Sequence, residues 1–298
     1  DFLEMMYDNP SDVLSQCIRP AIIPNPGYKF VVADFSAIEA RVIAWLAGEQ
    51  WRIDVFNSHG KIYEASASQM FHVPIEQIHK GSPLRQKGKV AELALGYQGS
   101  TGALISMGAL KMGLTEDELP DLVNQWRKSN PKIVKFWYDT EAAVMEAITN
   151  KSTVRIGKYL KAIYQSGFLF IELPSGRRLA YVKPKVMEHD KFPGKQKIVH
   201  QVINENTYQW EEVDTYGGKL VENIVQATAR DCLAHSMLKL DKVGYKIVMH
   251  VHDEIIVEIE EDRNELEIIT GIMGQEIPWA KGLPLRADGY ECRYYRKD

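Results

Sequence analysis

The chain has 298 residues, 45% hydrophobic and 26% charged, with three cysteines and a formal charge of -4. That length can bury a substantial core, as one large domain or two interleaved ones, and the composition reads as soluble and globular. No apolar run reaches the length of a membrane span, no signal peptide opens the chain, and Cys17, Cys232 and Cys292 are too scattered for a metal knuckle or a disulfide framework, so a reducing cytoplasm fits.

In chain order, a polar helical stretch leads through Ile18–Pro24 and a turn at "NPGY" into the apolar strand Phe30–Ala33. The strand runs into Asp34 and then into a helix with the stripe Ile38, Val42, Trp45 and Leu46. Asp34 has two readings at this point. It is a helix N-cap, with Ser36 close by, or a metal ligand or general base at the edge of a sheet, where active sites gather. Helical patterning continues to about Asn150. Ser82-Pro83 marks a helix start, "LTEDEL" is a capping box pairing Thr115 with Glu118, and Asn130-Pro131 breaks the chain before a further helix.

From Thr153 the pattern changes to short β-rich runs: "FLFIELPSGRRLAYV", "KIVHQVI" and "YQWEEVDTYGG". A helix over about 219–242 ends at Gly244. "YKIVMHVHDEIIVEIEED" then reads as a hairpin with His252, Asp253 and Glu254 at its tip. Strand, helical insertion and antiparallel strands make an α+β plan.

If Asp34 and Asp253 lie at neighbouring strand ends, they form a carboxylate pair that repels itself unless a cation bridges it. Oxygen ligands of that kind select Mg²⁺ or Mn²⁺. His250 and His252 raise the competing idea of a zinc metallohydrolase, but the remaining histidines lack a matching spacing. Net charge weighs mildly against a polyanion partner. Residues 80–91 nevertheless carry Lys80, Arg85, Lys87 and Lys89 with no acid among them. Arg85, Lys89, Leu93 and Tyr97 step by four along roughly 18 Å of helix, a cationic start and aromatic end suited to a nucleoside triphosphate. The glycine spacing of a P-loop is absent.

Together these stretches resemble family A (DNA polymerase I-like) DNA polymerases, in the bacteriophage or prophage branch. "DFSAIEAR" is similar to the family's first motif, "RQKGKVAELALGYQG" to its fingers helix and "HVHDE" to its third motif, while "LPSGRRLAY" and "VQATARD" resemble palm segments. The resemblance implies a right-hand fold with a palm in residues 1–50 and 168–298 and mostly helical fingers in 51–167. It implies template-directed transfer of deoxynucleotides from dNTPs to a primer 3′ end with release of pyrophosphate. Asp34 and Asp253 would hold two Mg²⁺ ions, for which Mn²⁺ could substitute, with Glu254 beside them. Arg85 and Lys89 would grip the triphosphate, and Lys89 could protonate the leaving group. Glu39, Leu93 and Tyr97 would complete the nucleotide site, with Glu39 as a steric gate against ribose. His252, Gln226 and Arg177 would contact primer-template DNA. Departures from the family pattern are Leu93 for an aromatic, Gln98 for Gly, Tyr63 for His and His250 for Gln. Neither a thumb nor a proofreading exonuclease is recognisable before Asp34. The chain therefore reads as a module of a longer polymerase, working in a bacterial host's cytoplasm without membrane contact, whose partners would be other replication proteins or the missing portions. The non-catalytic alternative is a degenerate palm that binds nucleic acid or a replication partner.

Overall fold

The structure, a computed structural model, describes residues 6, 9–190 and 192–296. The fold is α+β, with two antiparallel sheets, and contacts divide the chain into two units. The first comprises residues 1–38, 230–277 and 285–298, and the second residues 39–229 and 278–284. Among the described residues no helix is long and apolar enough to cross a membrane.

The first unit is built on a four-stranded sheet of β1 (Tyr28–Phe35), β8 (Lys246–Val251), β9 (Glu254–Glu260) and β10 (Ala287–Cys292), in the order β10-β1-β9-β8. Phe30, Val31, Val32 and Ala33 are all buried, as are Ile255, Ile256 and Val257 opposite them. A strand buried on both faces reads as a continuous apolar run, which is why "FVVA" does not alternate. On one face Phe30, Val32 and Ile256 pack with Tyr295. A helix over Leu266–Met273 packs on β1 and β10 and buries Ile269 and Met273. A further helix, Pro10–Ile18, precedes β1.

In the second unit, helices run from Ile38–Ala47 through Gln50–Asn57, Ile62–Phe71, Pro83–Leu95, Thr101–Ser106 and Leu119–Ser129 to Pro131–Asn150. Six strands follow: β2 (Thr153–Ile156), β3 (Leu160–Gln165), β4 (Phe168–Glu172), β5 (Arg178–Glu188), β6 (Gln196–Ile203) and β7 (Trp210–Thr215). They pair as a meander in sequence order, so the position expected to divide fingers from palm, 167/168, falls between the paired strands β3 and β4. The Pro131–Asn150 helix lays Ile133, Phe136, Trp137, Ala143, Val144, Ala147 and Ile148 into the core and contacts β2, β3 and β5. A long helix, Gly217–Lys242, follows these strands, and its residues from Arg230 on belong to the first unit. Ser82 caps the Pro83–Leu95 helix by accepting from the Arg85 amide at 3.3 Å, and the Thr115–Glu118 capping box is formed.

The Pro83–Leu95 helix is fixed from two sides. At Gly88 a Cβ would lie 2.3 Å from the Tyr63 carbonyl, so only glycine lets this helix approach Ile62–Phe71 so closely. On another side Glu92 is buried in an ion pair with Arg52, whose Nη1 also donates to Asn130 at 3.0 Å, while Trp126 Nε1 donates to Glu92 at 3.0 Å. Both charges are almost wholly dry, at 2% and 4% side-chain exposure. Removing one partner of such a pair strands the other without solvation. Glu92→Ala is expected to destabilise the chain by about 3–5 kcal/mol in urea unfolding, and the double replacement Arg52→Met with Glu92→Leu to recover most of that. A single variant as stable as the parent would show that the pair contributes nothing.

Candidate active site

The acids of the first unit gather at one end of the sheet because the register places them there. Asp34, near the end of β1, is paired with Glu254 on β9 and with Asp288 on β10. Residues directly opposite in an antiparallel ladder share a face, so Glu254, Asp34 and Asp288 form an acidic row across three strands. It continues the apolar strip of Phe30, Val32 and Ile256 by the two-residue alternation of strands. Only His252 and Asp253 separate the pair Val251–Glu254. Such a two-residue turn needs positive φ, and His252 supplies it at +51°. The turn folds toward β1, where the Phe35 amide donates to the Asp253 carbonyl at 3.3 Å.

Asp34 therefore belongs to the strand. The helix begins only at Ile38, after Ala37 has turned the chain at φ +50°, and the capping reading gives way to the sheet-edge one. Although Asp34 meets solvent, the protein around its carboxyl strips much of its hydration. That loss, then the negative charges of Asp253 and Glu254 and a hydrogen bond with the Asp253 side chain, outweigh the Phe35 amide and push its pKa up to about 7. Two carboxyls that share a proton are the usual result when like charges must occupy one site. The donors are oxygens alone, a set that suits Mg²⁺ or Mn²⁺ completed by water and substrate phosphates. A cation there would offset the negative charges that help raise the Asp34 pKa.

His250 and His252 do not gather a zinc shell. The Arg230 guanidinium lies 3.3 and 3.4 Å from the two ring nitrogens of His250, a cation against the ring that a second cation would need. Among the described residues no group of three or more His, Cys, Asp or Glu side chains is arranged to hold a metal.

Two residues of this edge escaped sequence reasoning. Asp288, ion-paired with Arg286 at 3.1 Å, joins the row only through β1–β10 pairing. Tyr295, whose hydroxyl donates to Glu254, comes from a stretch without any motif.

In the second unit, Tyr97 donates to Glu39 at 2.5 Å. Burial, followed by the charge of Glu39, raises the Tyr97 pKa strongly, so the phenol keeps its proton and remains the donor. Tyr97 lies just past the Pro83–Leu95 helix instead of on it, in a turn where Gln98 adopts φ +65°. A positive φ of this kind is the conformation that glycine adopts most readily. Here Gln98 is held by the Gly218 amide, which donates to its Oε1 at 2.8 Å. The basic stretch is partly neutralised from elsewhere in the chain. Arg85 pairs with Glu64 at 2.6 Å and lies over the Tyr63 ring, and Lys87 pairs with Glu118 at 2.6 Å. Lys89 makes no ion pair among the described residues, and Leu93 is 47% exposed. Arg177 donates to the carbonyl of Ala227 at 2.7 Å, beside the exposed Gln226.

The family description "DNA polymerase family A" matches residues 11–292. A DNA polymerase of Bacillus phage SP02 is 60% identical over 296 residues, covering 99% of this chain and 45% of its own length. DNA polymerase I of Borreliella burgdorferi is 26% identical over 278 residues, covering 91% of this chain and 25% of its own. A solved structure described as the POL domain of Pol1 from M. smegmatis, in complex with DNA primer-template and dNTP, shares the fold with a TM-score of 0.63. Its sequence identity is 22%, over 94% of this chain and 42% of that one. The chain thus spans less than half the length of these relatives. With the family matched along nearly its whole length, this chain belongs to DNA polymerase family A.

Proposed function

We propose that the chain carries the nucleotidyl-transfer site of a longer polymerase and performs template-directed DNA synthesis, adding deoxynucleotides from dNTPs to a primer 3′ end. The observation that carries this reading is the convergence of Asp34 and Asp253 at one sheet edge, where Asp34 pairs with Glu254 across β1 and β9 and the Phe35 amide donates to the Asp253 carbonyl at 3.3 Å. The phage relative is named a DNA polymerase, and the mycobacterial domain of the same fold holds primer-template and dNTP.

In this reading residues 1–50 and 168–298 form the palm, which includes the four-stranded sheet, and the mostly helical residues 51–167 form the fingers. Asp34 and Asp253 would hold two Mg²⁺ ions, with Glu254 beside them and Mn²⁺ able to substitute, and metal bound there would supply neutralisation of phosphate charge and a lowered pKa at the primer hydroxyl. That hydroxyl oxygen attacks the α-phosphorus, the bond to the bridging oxygen breaks and pyrophosphate leaves. Such transfer depends on positioning and charge neutralisation. Lys89, without an ion pair among the described residues, meets the triphosphate and supplies a proton to the leaving group. Arg85 joins it once released from Glu64. Leu93 presents an aliphatic surface where an aromatic is usual. His252 meets the primer terminus, and Gln226 and Arg177 meet the duplex, Gln226 in the minor groove where acceptors common to all pairs are read without sequence. The setting is the cytoplasm of a bacterial host.

Primer extension with Mg²⁺ tests the reading. Asp253→Ala and Asp34→Ala should each lower nucleotide addition by roughly 10³-fold, as loss of several kcal/mol of charge stabilisation requires. Removal of Glu254 should cost less, and equal residual activity in all three variants would defeat the assignment. Glu39, clamped by Tyr97, fills the space a ribose 2′-hydroxyl needs. Glu39→Ala is expected to raise ribonucleotide incorporation relative to deoxynucleotide by about tenfold or more, ~1.4 kcal/mol of discrimination, and an unmoved ratio would return Glu39 to an ordinary helix position.

The pH dependence follows from the raised pKa of Asp34. Its stabilising contribution is complete below the ordinary value of 3.8 and is lost as pH rises through about 7. In chelator, thermal unfolding of the parent should therefore lose ground against Asp34→Asn between pH 5 and 8, and excess Mg²⁺ should restore the parent alone. Parallel curves would mean that no shared proton exists.

A further inference from the structure

The acidic row ends against Tyr295, a residue 2% exposed. Its ring packs on Phe30, Val32 and Ile256, which occupy the face that carries Asp34 and Glu254 one alternation further along β1 and β9. Its hydroxyl, at the polar end of that strip, donates to Glu254 Oε1. The residue is held on other sides as well. Its amide donates to the Ile22 carbonyl at 2.9 Å, and the Arg19 guanidinium lies 5.4 Å from its ring centroid.

We propose that Tyr295 is a positioning residue for nucleotide transfer: its hydroxyl fixes Glu254 beside Asp34 and Asp253, so that this third carboxylate is held in place next to the pair that would bind the cation. This deepens the metal reading of the acidic edge and rests on it. Glu254 stands next to Asp253 in sequence and opposite Asp34 in register. Without a donor, a third free carboxylate there would add repulsion to the dyad or swing away from it. The hydrogen bond withdraws charge from Glu254 and holds its geometry, the role that outer partners of metal ligands generally play. A tyrosine needed only for packing would be replaced by phenylalanine without consequence, since the ring makes every apolar contact.

The test is a Mn²⁺ titration of the chain followed by electron paramagnetic resonance, with steady-state primer extension alongside. Tyr295→Phe should weaken Mn²⁺ binding about tenfold. It should also raise the Mg²⁺ concentration needed for half-maximal activity and lower kcat with little change in KM for dNTP. In a Glu254→Gln background the same substitution should change nothing further, because its effect passes through that carboxylate. If Asp253→Ala releases Mn²⁺ while Tyr295→Phe binds it as tightly as the parent, the positioning role is wrong and the metal site stands. If Asp253→Ala itself leaves Mn²⁺ binding unchanged, the metal reading falls and this role falls with it.

Discussion

Like-charge crowding at the edge of the four-stranded sheet is the constraint around which the first unit is arranged. Asp34, Asp253 and Glu254 would separate if the chain were free to let them. They stay because the strands behind them are buried on both faces, from Phe30 to Ala33 on β1 and from Ile255 to Ile259 on β9. Each fully buried aliphatic or aromatic side chain contributes about 1.5–3 kcal/mol, so packing in the strands outweighs repulsion at their ends. Loss of hydration around the Asp34 carboxyl, followed by the charges of Asp253 and Glu254, pushes its pKa up to about 7. A perturbed carboxyl of this kind at a sheet edge is consistent with the proposed metal-binding role.

The second unit solves a different problem, which is to hold a helix of basic residues in register. Gly88 sets the close approach to one neighbour, and the buried Arg52–Glu92 pair with Asn130 and Trp126 fixes another side. A buried ion pair of this kind adds little net stability over an apolar substitute, but it penalises every arrangement in which its partners part. Arg85 and Lys87 are meanwhile engaged by Glu64 and Glu118, which leaves Lys89 as the cation of that stripe outside any ion pair among the described residues. The clamp of Tyr97 on Glu39 has the same logic as that of Tyr295 on Glu254: a buried phenol, kept neutral by its surroundings, aims a carboxylate.

Much of this was legible in the sequence where the controlling physics is local. An apolar run ending in Asp34, the hairpin around His252 and Asp253, the Ser82 cap and the Thr115–Glu118 box are set by side-chain alternation, turn geometry and backbone donors a few residues away. The ordered motifs sufficed to place the chain among the family A polymerases. Net charge was a poor guide, because the basic stretch and the acids that neutralise it come from distant segments.

Tertiary structure decided the rest. Whether Asp34 capped a helix or ended a strand depended on β1 pairing with β9 and β10, partners more than 200 residues away in sequence. The same pairing brought in Asp288, and packing of the residues after β10 brought in Tyr295, neither of which lies in a recognisable motif. Likewise the tether of Arg85 to Glu64 and the positive φ of Gln98 follow from helix packing and from the Gly218 amide. Sequence by itself determined the family and singled out the residues to which the chemistry is assigned in the proposal, because local spacing fixes the motif. Only the long-range strand and helix contacts decided which groups hold those residues in place, because such contacts form between segments whose separation along the chain carries no periodic signal.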